Sequence, residues 1–407
     1  MWLDLLLKRA VTSGDLEVTD WHGRHYHYGD GTPPHVAIRI RDAASDRRIC
    51  LNPHLALGET YMDGGLIVED GEIADLLEIV GRSYGTGFSP DPWYVRANRR
   101  LRYGLRRLQQ WNVLPRAMRN VRHHYDLSGD LYDLFLDSDR QYSCAYFLNE
   151  NDSLERAQEQ KKRHIAAKLL IEPGMRVLDI GCGWGGMAIY LAKKCGARVT
   201  GITLSREQAK YAAERVRREG LADRIDIRIE DYRRSEGRFD RIVSVGMFEH
   251  VGVGFYPTFF RRMRELLTDR GVALLHTIAR ADGPGVTNPF IAKYIFPGGY
   301  IPAVSEFQPA IERNAFYLTD LEIWRLHYAD TLKHWRLRFK AAWERAASLY
   351  DERFCRMWEF YLAGSEMAFR HGGHVVAQAQ MSPDQTAVPL TRDYIGEFER
   401  AHPIEAN

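Results

Sequence analysis

Hydrophobic and polar positions change rhythm twice along this chain. Near the start, Leu16–Thr19, His25–Tyr28 and Val36–Arg41 alternate or are β-rich, with Gly, Asp and Pro between them, which predicts three short strands. Ile73–Val80 reads as a short helix, and Pro90 and Pro92 punctuate a break after it. Leu101, Leu105 and Leu108 then recur at helical spacing, followed by Trp111 and Leu114. From there the pattern becomes alternating helix and strand. Helices are predicted over Leu154–Leu170, Met187–Lys194 and Arg206–Arg218. Strands are predicted over Arg176–Ile180, Arg198–Ile202, Ile225–Ile229, Arg241–Val245 and Val272–His276. That alternation predicts an α/β fold with a doubly wound, mainly parallel sheet. After residue 285 the chain is rich in aromatics and helix-forming stretches. The expected organisation is a smaller N-terminal α+β domain over 1–90, a helical linker over 91–122 and a sheet domain over 123–400.

Charge changes the picture in one place. The net charge is only +2, so no global field points to nucleic acid. Yet residues 95–122 carry nine arginines and no acid: Arg96, Arg99, Arg100, Arg102, Arg106, Arg107, Arg116, Arg119 and Arg122. On a helix with a leucine stripe, that is a basic amphipathic surface suited to anionic lipid, at about 1 kcal/mol per cation. A solvated linker packing its leucines on a neighbour is the other reading. No run approaches the ~20 apolar residues needed to span a bilayer. The five cysteines (Cys50, Cys144, Cys182, Cys195, Cys355) form no metal or disulfide framework, so no metal is expected. Their reduced state points to the cytoplasm, with any membrane contact peripheral and from its inner face.

The strand Arg176–Ile180 opens into Gly181-Cys-Gly-Trp-Gly-Gly186. Glycine lets the backbone turn sharply and approach a ligand closely. The G-x-G-x-x-G spacing is shared with dinucleotide sites, which also want an acid about 20 residues on, at the end of the next strand. Here that end reads Gly201-Ile-Thr-Leu-Ser205, without one. Asp179 just before the turn makes a D-x-G-x-G arrangement that resembles motif I of class I methyltransferases, which implies S-adenosylmethionine. Asp231, after the third strand, is placed to accept from an adenine amino group.

Seven segments occur in order: His124-Tyr-Asp-Leu-Ser128, Gln141-Tyr-Ser-Cys-Ala-Tyr-Phe147, Gly201–Ser205, Gly246-Met-Phe-Glu-His250, Leu275-His-Thr-Ile278, Lys293-Tyr-Ile-Phe-Pro297 and His327-Tyr-Ala-Asp-Thr-Leu332. Over about residues 120–365 they closely resemble bacterial cyclopropane fatty acid synthases and the related mycolic acid cyclopropane synthases. The resemblance implies a class I methyltransferase fold and transfer of a methylene unit from S-adenosylmethionine to the cis double bond of an unsaturated phospholipid. It implies a bound bicarbonate that takes a proton, held at the positions of Cys144 and Ile278 (backbone), Glu249, His276 and Tyr328. It also implies cofactor contacts from Tyr142 and Ser143, from Gly181, Gly183 and Trp184, from Thr203, Leu204 and Gln208, and from Asp231 and Tyr232. Lys293–Pro297 and the aromatics beyond would wall an acyl channel, and a homodimer is expected.

The chemistry suits these residue types. Methyl transfer to an alkene leaves a carbocation, which aromatic faces stabilise by about 2 kcal/mol when desolvated. The new methyl must then lose a proton, and a positioned base contributes about 10²–10⁴-fold. Read alone, Cys144 is as ordinary as a small buried hydrophobe. Glu249 and His276 each follow or end an apolar strand, at the sheet edge where ligands bind. Competing readings are a fatty-acyl C-methyltransferase giving a methylene- or methyl-branched product, a small-molecule methyltransferase, and a non-catalytic lipid-binding protein.

Overall fold

The computed structural model describes residues 1–85, 91–110 and 129–404. The segment 124–128 and the downstream part of the basic stretch (Trp111, Leu114, Arg116, Arg119, Arg122) lie outside the described residues. The chain divides into two compact units.

The first unit comprises Met1–Arg106, Val286–Pro297 and Leu332–His374. Its sheet contains β1 (Asp15–Thr19), β2 (His25–Gly29), β3 (His35–Ile40) and β4 (Leu66–Asp70), in the order β2-β1-β3-β4. Alternation puts Leu16, Val18, Val36, Ile38 and Ile40 on one face, where they are buried with Leu3, Leu7, Ile49, Ile73, Leu76 and Ile79. Ala363 and Met367 of the helix Glu352–Arg370 complete this core. The predicted short helix runs longer, over Ile73–Gly85. The basic stretch forms a helix over Trp93–Gln109.

The second unit comprises Arg107–Gly285, Gly298–Thr331 and Val375–Asn407. Its sheet contains β5 (Arg176–Ile180), β6 (Arg198–Thr203), β7 (Ile225–Ile229), β8 (Phe239–Val245), β9 (Leu267–Arg280), β10 (Tyr317–Trp324) and β11 (His374–Ser382). Their order is β10-β11-β9-β8-β5-β6-β7. The pairs β5–β6, β5–β8, β6–β7 and β8–β9 are parallel, and β10–β11 is antiparallel. Connections from β5 lead first to one side and then to the other, so the crevice at its carboxyl end is the topological switch point where such sheets bind ligands.

Three expectations change. The stretch after 285 is not only helical: β10 and β11 extend the sheet. Buried runs such as Val375–Val376–Ala377 carry no two-residue alternation to reveal a strand. The single 123–400 domain is divided, because 286–297 and 332–374 pack with residues 1–106. In that first unit the Lys293 ammonium and the Tyr294 hydroxyl both donate to Glu59, at 2.6 and 2.8 Å. Finally, His276 does not end its strand. β9 continues to Arg280, and His276 pairs with Val245 inside the sheet.

Candidate active site

The strand–turn–helix after β5 builds the floor of a cavity of about 160 Å³. The Gly181 and Cys182 amides donate to the Ile202 carbonyl at 2.9 and 3.0 Å, which ties the turn to β6. Gly181 has φ +85°, and a Cβ there would stand 2.8 Å from Cβ of Met247. Only glycine meets both demands. At Gly186, which opens the next helix, a Cβ would overlap the Gln141 amide and the Asp139 carboxylate. The last glycine of the spacing therefore serves close packing of the 139–141 segment.

Every cofactor residue expected from the sequence lines this cavity: Tyr142, Ser143, Gly181, Gly183, Trp184, Thr203, Leu204, Gln208, Asp231 and Tyr232. Ser205 caps the helix Arg206–Arg218, accepting from the Gln208 amide, while the Thr203 hydroxyl donates to Gln208 Oε1 at 2.9 Å. Asp231 is more constrained than expected. Its Oδ1 accepts from the Arg233 amide and Nε, and its Oδ2 from Arg233 Nη2. Trp184 packs between Tyr132 and Tyr211, with ring centroids at 5.6 and 5.3 Å.

The sequence reading missed Arg140, Gln141, Glu230, Met247 and His250, which also line the cavity. Arg140 sits at φ +50° and grips Asp133 through two nitrogens. A non-glycine residue in this region is uncommon and often marks a functional segment. His250 is kept neutral by burial, which pushes its pKa down to about 4. Asp179, 1% exposed, also lines the cavity. Its Oδ2 is buried without a hydrogen-bond partner, and burial pushes its pKa up to about 7. A buried, unpaired carboxylate is costly, and a cationic ligand removes that cost. S-adenosylmethionine carries both a sulfonium and an ammonium, so the cavity fits it.

The five residues expected to handle the proton form two groups. In the first, the Ile278 amide donates to Glu249 Oε1 at 2.6 Å, and the Gly246 amide donates to the His276 carbonyl at 2.9 Å. The Ile278 amide thus already has a protein acceptor. Glu249 Oε2 is buried and unpartnered. Burial pushes the Glu249 carboxyl up to about 7, with the Ile278 N–H opposing it. His276 is held neutral by burial, and its Nδ1 accepts from Gln378 Nε2, 3.1 Å away.

In the second group, the Ala145 amide next to Cys144 donates to the Thr331 hydroxyl at 3.0 Å, one turn beyond Tyr328 on the same helix. The Cys144 thiol is fully buried, donates to the Ala145 carbonyl, and is pushed up by desolvation, which keeps it in the un-ionised form. Trp324 joins the groups. It meets the His276 ring edge-on at 5.1 Å and stacks on Tyr146 at 4.5 Å. No group of acids, histidines and cysteines among the described residues is arranged to hold a metal. No described helix is long and apolar enough to cross a membrane.

Fold and cavity together define the class: this is a class I S-adenosylmethionine-dependent methyltransferase. The model of the mycolic acid cyclopropane synthetase family matches residues 113–379, and a family described as a domain of unknown function matches residues 2–89. The chain belongs to the mycolic acid cyclopropane synthetase family. It is 42% identical over 360 residues to a probable fatty acid methyltransferase of Pseudomonas putida, covering 86% of this chain and 88% of that one. It is 41% identical over 342 residues to the cyclopropane-fatty-acyl-phospholipid synthase of Escherichia coli K12, covering 84% and 86%. A mycolic acid cyclopropane synthase solved with SAH and CTAB aligns with TM-score 0.62 and 35% identity, over 65% of this chain and 97% of that one.

Proposed function

We propose that the chain transfers a methylene unit from S-adenosylmethionine to the cis double bond of an unsaturated phospholipid acyl chain and closes a cyclopropane ring. The observation that carries this reading is the buried Glu249, whose Oε1 accepts from the Ile278 amide and whose Oε2 is left without a partner. Transfer of a methyl to an alkene breaks the S–CH₃ bond, and the alkene π pair forms the new C–C bond. The resulting carbocation closes to a ring only when the new methyl loses a proton.

The residues fit bicarbonate, which bound there supplies the proton acceptor. Glu249, poised near neutrality, has one oxygen free to donate when protonated or to accept when not. The Cys144 amide and the Tyr328 hydroxyl are the remaining donors we assign. His276, neutral, offers a ring nitrogen without adding charge. A second reading, a methyl- or methylene-branched product, is favoured by one fact. The Pseudomonas relative named as a fatty acid methyltransferase is as similar to this chain as the Escherichia coli synthase.

The partner we propose is an anionic membrane surface, met from the cytoplasmic side by a homodimer. In support, Trp93 is 73% exposed on the helix Trp93–Gln109, where Leu101, Leu105 and the cations Arg96, Arg99 and Arg100 are exposed as well. Exposed Trp2 and Leu51 belong to neighbouring turns, linked by Tyr94 donating to the Cys50 carbonyl at 2.6 Å and by Cys50 Sγ to the Trp2 carbonyl at 3.8 Å. Exposed tryptophans flanked by cations suit a lipid interface.

Incubation with S-adenosylmethionine and cis-monounsaturated phospholipid vesicles tests both proposals. A fatty acid heavier by one methylene that resists mild hydrogenation is expected. A hydrogenatable product selects the branched reading, and no product rejects both. Anionic vesicles are expected to support faster turnover than zwitterionic ones; equal rates reject the anionic partner.

A further inference from the structure

The helix Leu154–Lys168 buries Leu154, Ala157 and Ile165 along one stripe, and Lys161 falls on that stripe. It is fully buried. Its Nζ donates to Gln141 Oε1 at 2.7 Å and to Ser143 Oγ at 2.8 Å. Both acceptor residues line the cofactor cavity, and Cys144 follows directly. From the same helix, Gln158 Nε2 donates to the backbone carbonyls of Gln141 and Ser143 at 3.3 and 3.0 Å.

The next residue makes the contrast. Lys162 is ion-paired with Asp139 at 2.6 Å and Glu159 at 2.7 Å, and these acids hold its pKa up. Among the described residues, no carboxylate lies within ion-pair distance of Lys161. Burying an ammonium without a counter-ion is expensive, and burial pushes its pKa down to about 7. The charged groups near it are Asp137 and Asp139 on the segment before Gln141 and Lys162 on its own helix; the un-ionised Cys144 thiol and the neutral His276 imidazole on β9 lie within its field.

We infer that Lys161 is a positioning residue for the proton-handling site: its ammonium holds the Gln141–Ser143 segment in place and supplies the positive charge that balances an anion beside Cys144 and His276. This rests on the proposed function. A buried cation with no carboxylate at ion-pair distance, held against Ser143 directly before Cys144, gains its counter-charge from an anion bound there. The anion in turn favours the protonated lysine. Anion affinity should therefore weaken as pH rises above about 7, because the anion-free protein then holds a neutral Lys161 that must regain a proton on binding.

The test measures turnover against added bicarbonate in carbonate-depleted buffer at saturating S-adenosylmethionine, from about pH 7.5 to about pH 9, where bicarbonate stays largely one species. For the wild type, the apparent bicarbonate constant should rise by up to about tenfold per pH unit. Lys161→Met should raise it at least about tenfold at the lower pH, the effect of losing a charged hydrogen-bond donor, and cut the pH slope back to the part that Glu249 supplies. Its S-adenosylmethionine affinity, read by calorimetry, should change less, because Gln158 still holds the two carbonyls. Lys161→Arg keeps a charge throughout the range. It should recover part of the affinity with the same reduced pH slope.

Wild-type bicarbonate affinity in Lys161→Met overturns the inference. Should that variant not fold, a wild-type constant that stays flat across the range overturns it equally. Turnover indifferent to bicarbonate in the wild type rejects the proton-acceptor reading itself, which separates the two failures.

Discussion

The nucleoside cavity and the proton-handling corner are built from the same sheet in opposite ways. The cavity floor comes from three consecutive strand ends and their following turns: 179–186 after β5, 203–208 after β6 and 231–232 after β7. Its polar groups are mostly satisfied within a few residues, as Thr203 is by Gln208 and Asp231 by Arg233. The corner draws on segments far apart in the chain, with Glu249 meeting Ile278, His276 meeting Gln378 and Ala145 meeting Thr331. Like the cavity, which leaves Asp179 Oδ2 bare, it leaves one carboxylate oxygen, Glu249 Oε2, buried and unpartnered. Local construction suits a site that holds one ligand. Assembly from distant parts suits a site whose protonation states must be tuned by burial.

Substitutions at the two places should separate binding from turnover. The largest effect is expected for Glu249→Gln, which keeps size but loses the ionisable group. Turnover should fall by about 10²–10⁴-fold, with S-adenosylmethionine affinity by calorimetry unchanged. Wild-type turnover would remove Glu249 from the chemistry. Gly181→Ala should do the reverse. Strain at φ +85° and the approach to Met247 should cost about 1–3 kcal/mol of cofactor binding, while turnover at saturating cofactor is largely kept. Unaltered affinity would mean that the turn tolerates a side chain.

A third variant probes the long-range half alone. Thr331→Val leaves the buried Ala145 amide without its acceptor and should lower unfolding free energy by about 1–3 kcal/mol. Denaturant titration measures that loss, and turnover should fall while cofactor affinity holds. A parallel drop in cofactor affinity would show that the two regions are not separable. The smallest effect is expected from Asp179. Its pKa is raised to about 7 by burial, so the carboxylate that attracts a cationic ligand grows in as pH rises through 7. S-adenosylmethionine affinity should therefore strengthen by up to about tenfold per pH unit on the acid side of 7. Asp179→Asn should abolish that dependence; a slope surviving in the variant would assign it to another group.

Much of the sheet domain was legible because its signals are local. The strand Arg176–Ile180, the helix Arg206–Arg218 and the strand Ile225–Ile229 lie where hydrophobic spacing put them. The glycine turn was legible for the same reason, since its demand on the backbone is written within a few residues. Lys161 left only a faint trace, a charge on an apolar stripe. Without the Gln141 and Ser143 oxygens in place, nothing distinguishes it from Lys162 beside it. The strands β10 and β11 escaped notice because a sheet strand is stabilised by neighbours across space.

By itself, then, the sequence determined the order of strands and helices, the glycine turn, the absence of a ribose-binding acid after β6 and the identities of the chemical groups. Tertiary structure alone decided that β11 lies beside β9, that 332–374 packs with the first unit, and that Glu249, His276 and Lys161 are stripped of water. The physical reason is that backbone propensity and periodicity act over a few residues. The desolvation that sets a pKa depends on every segment that closes over the group.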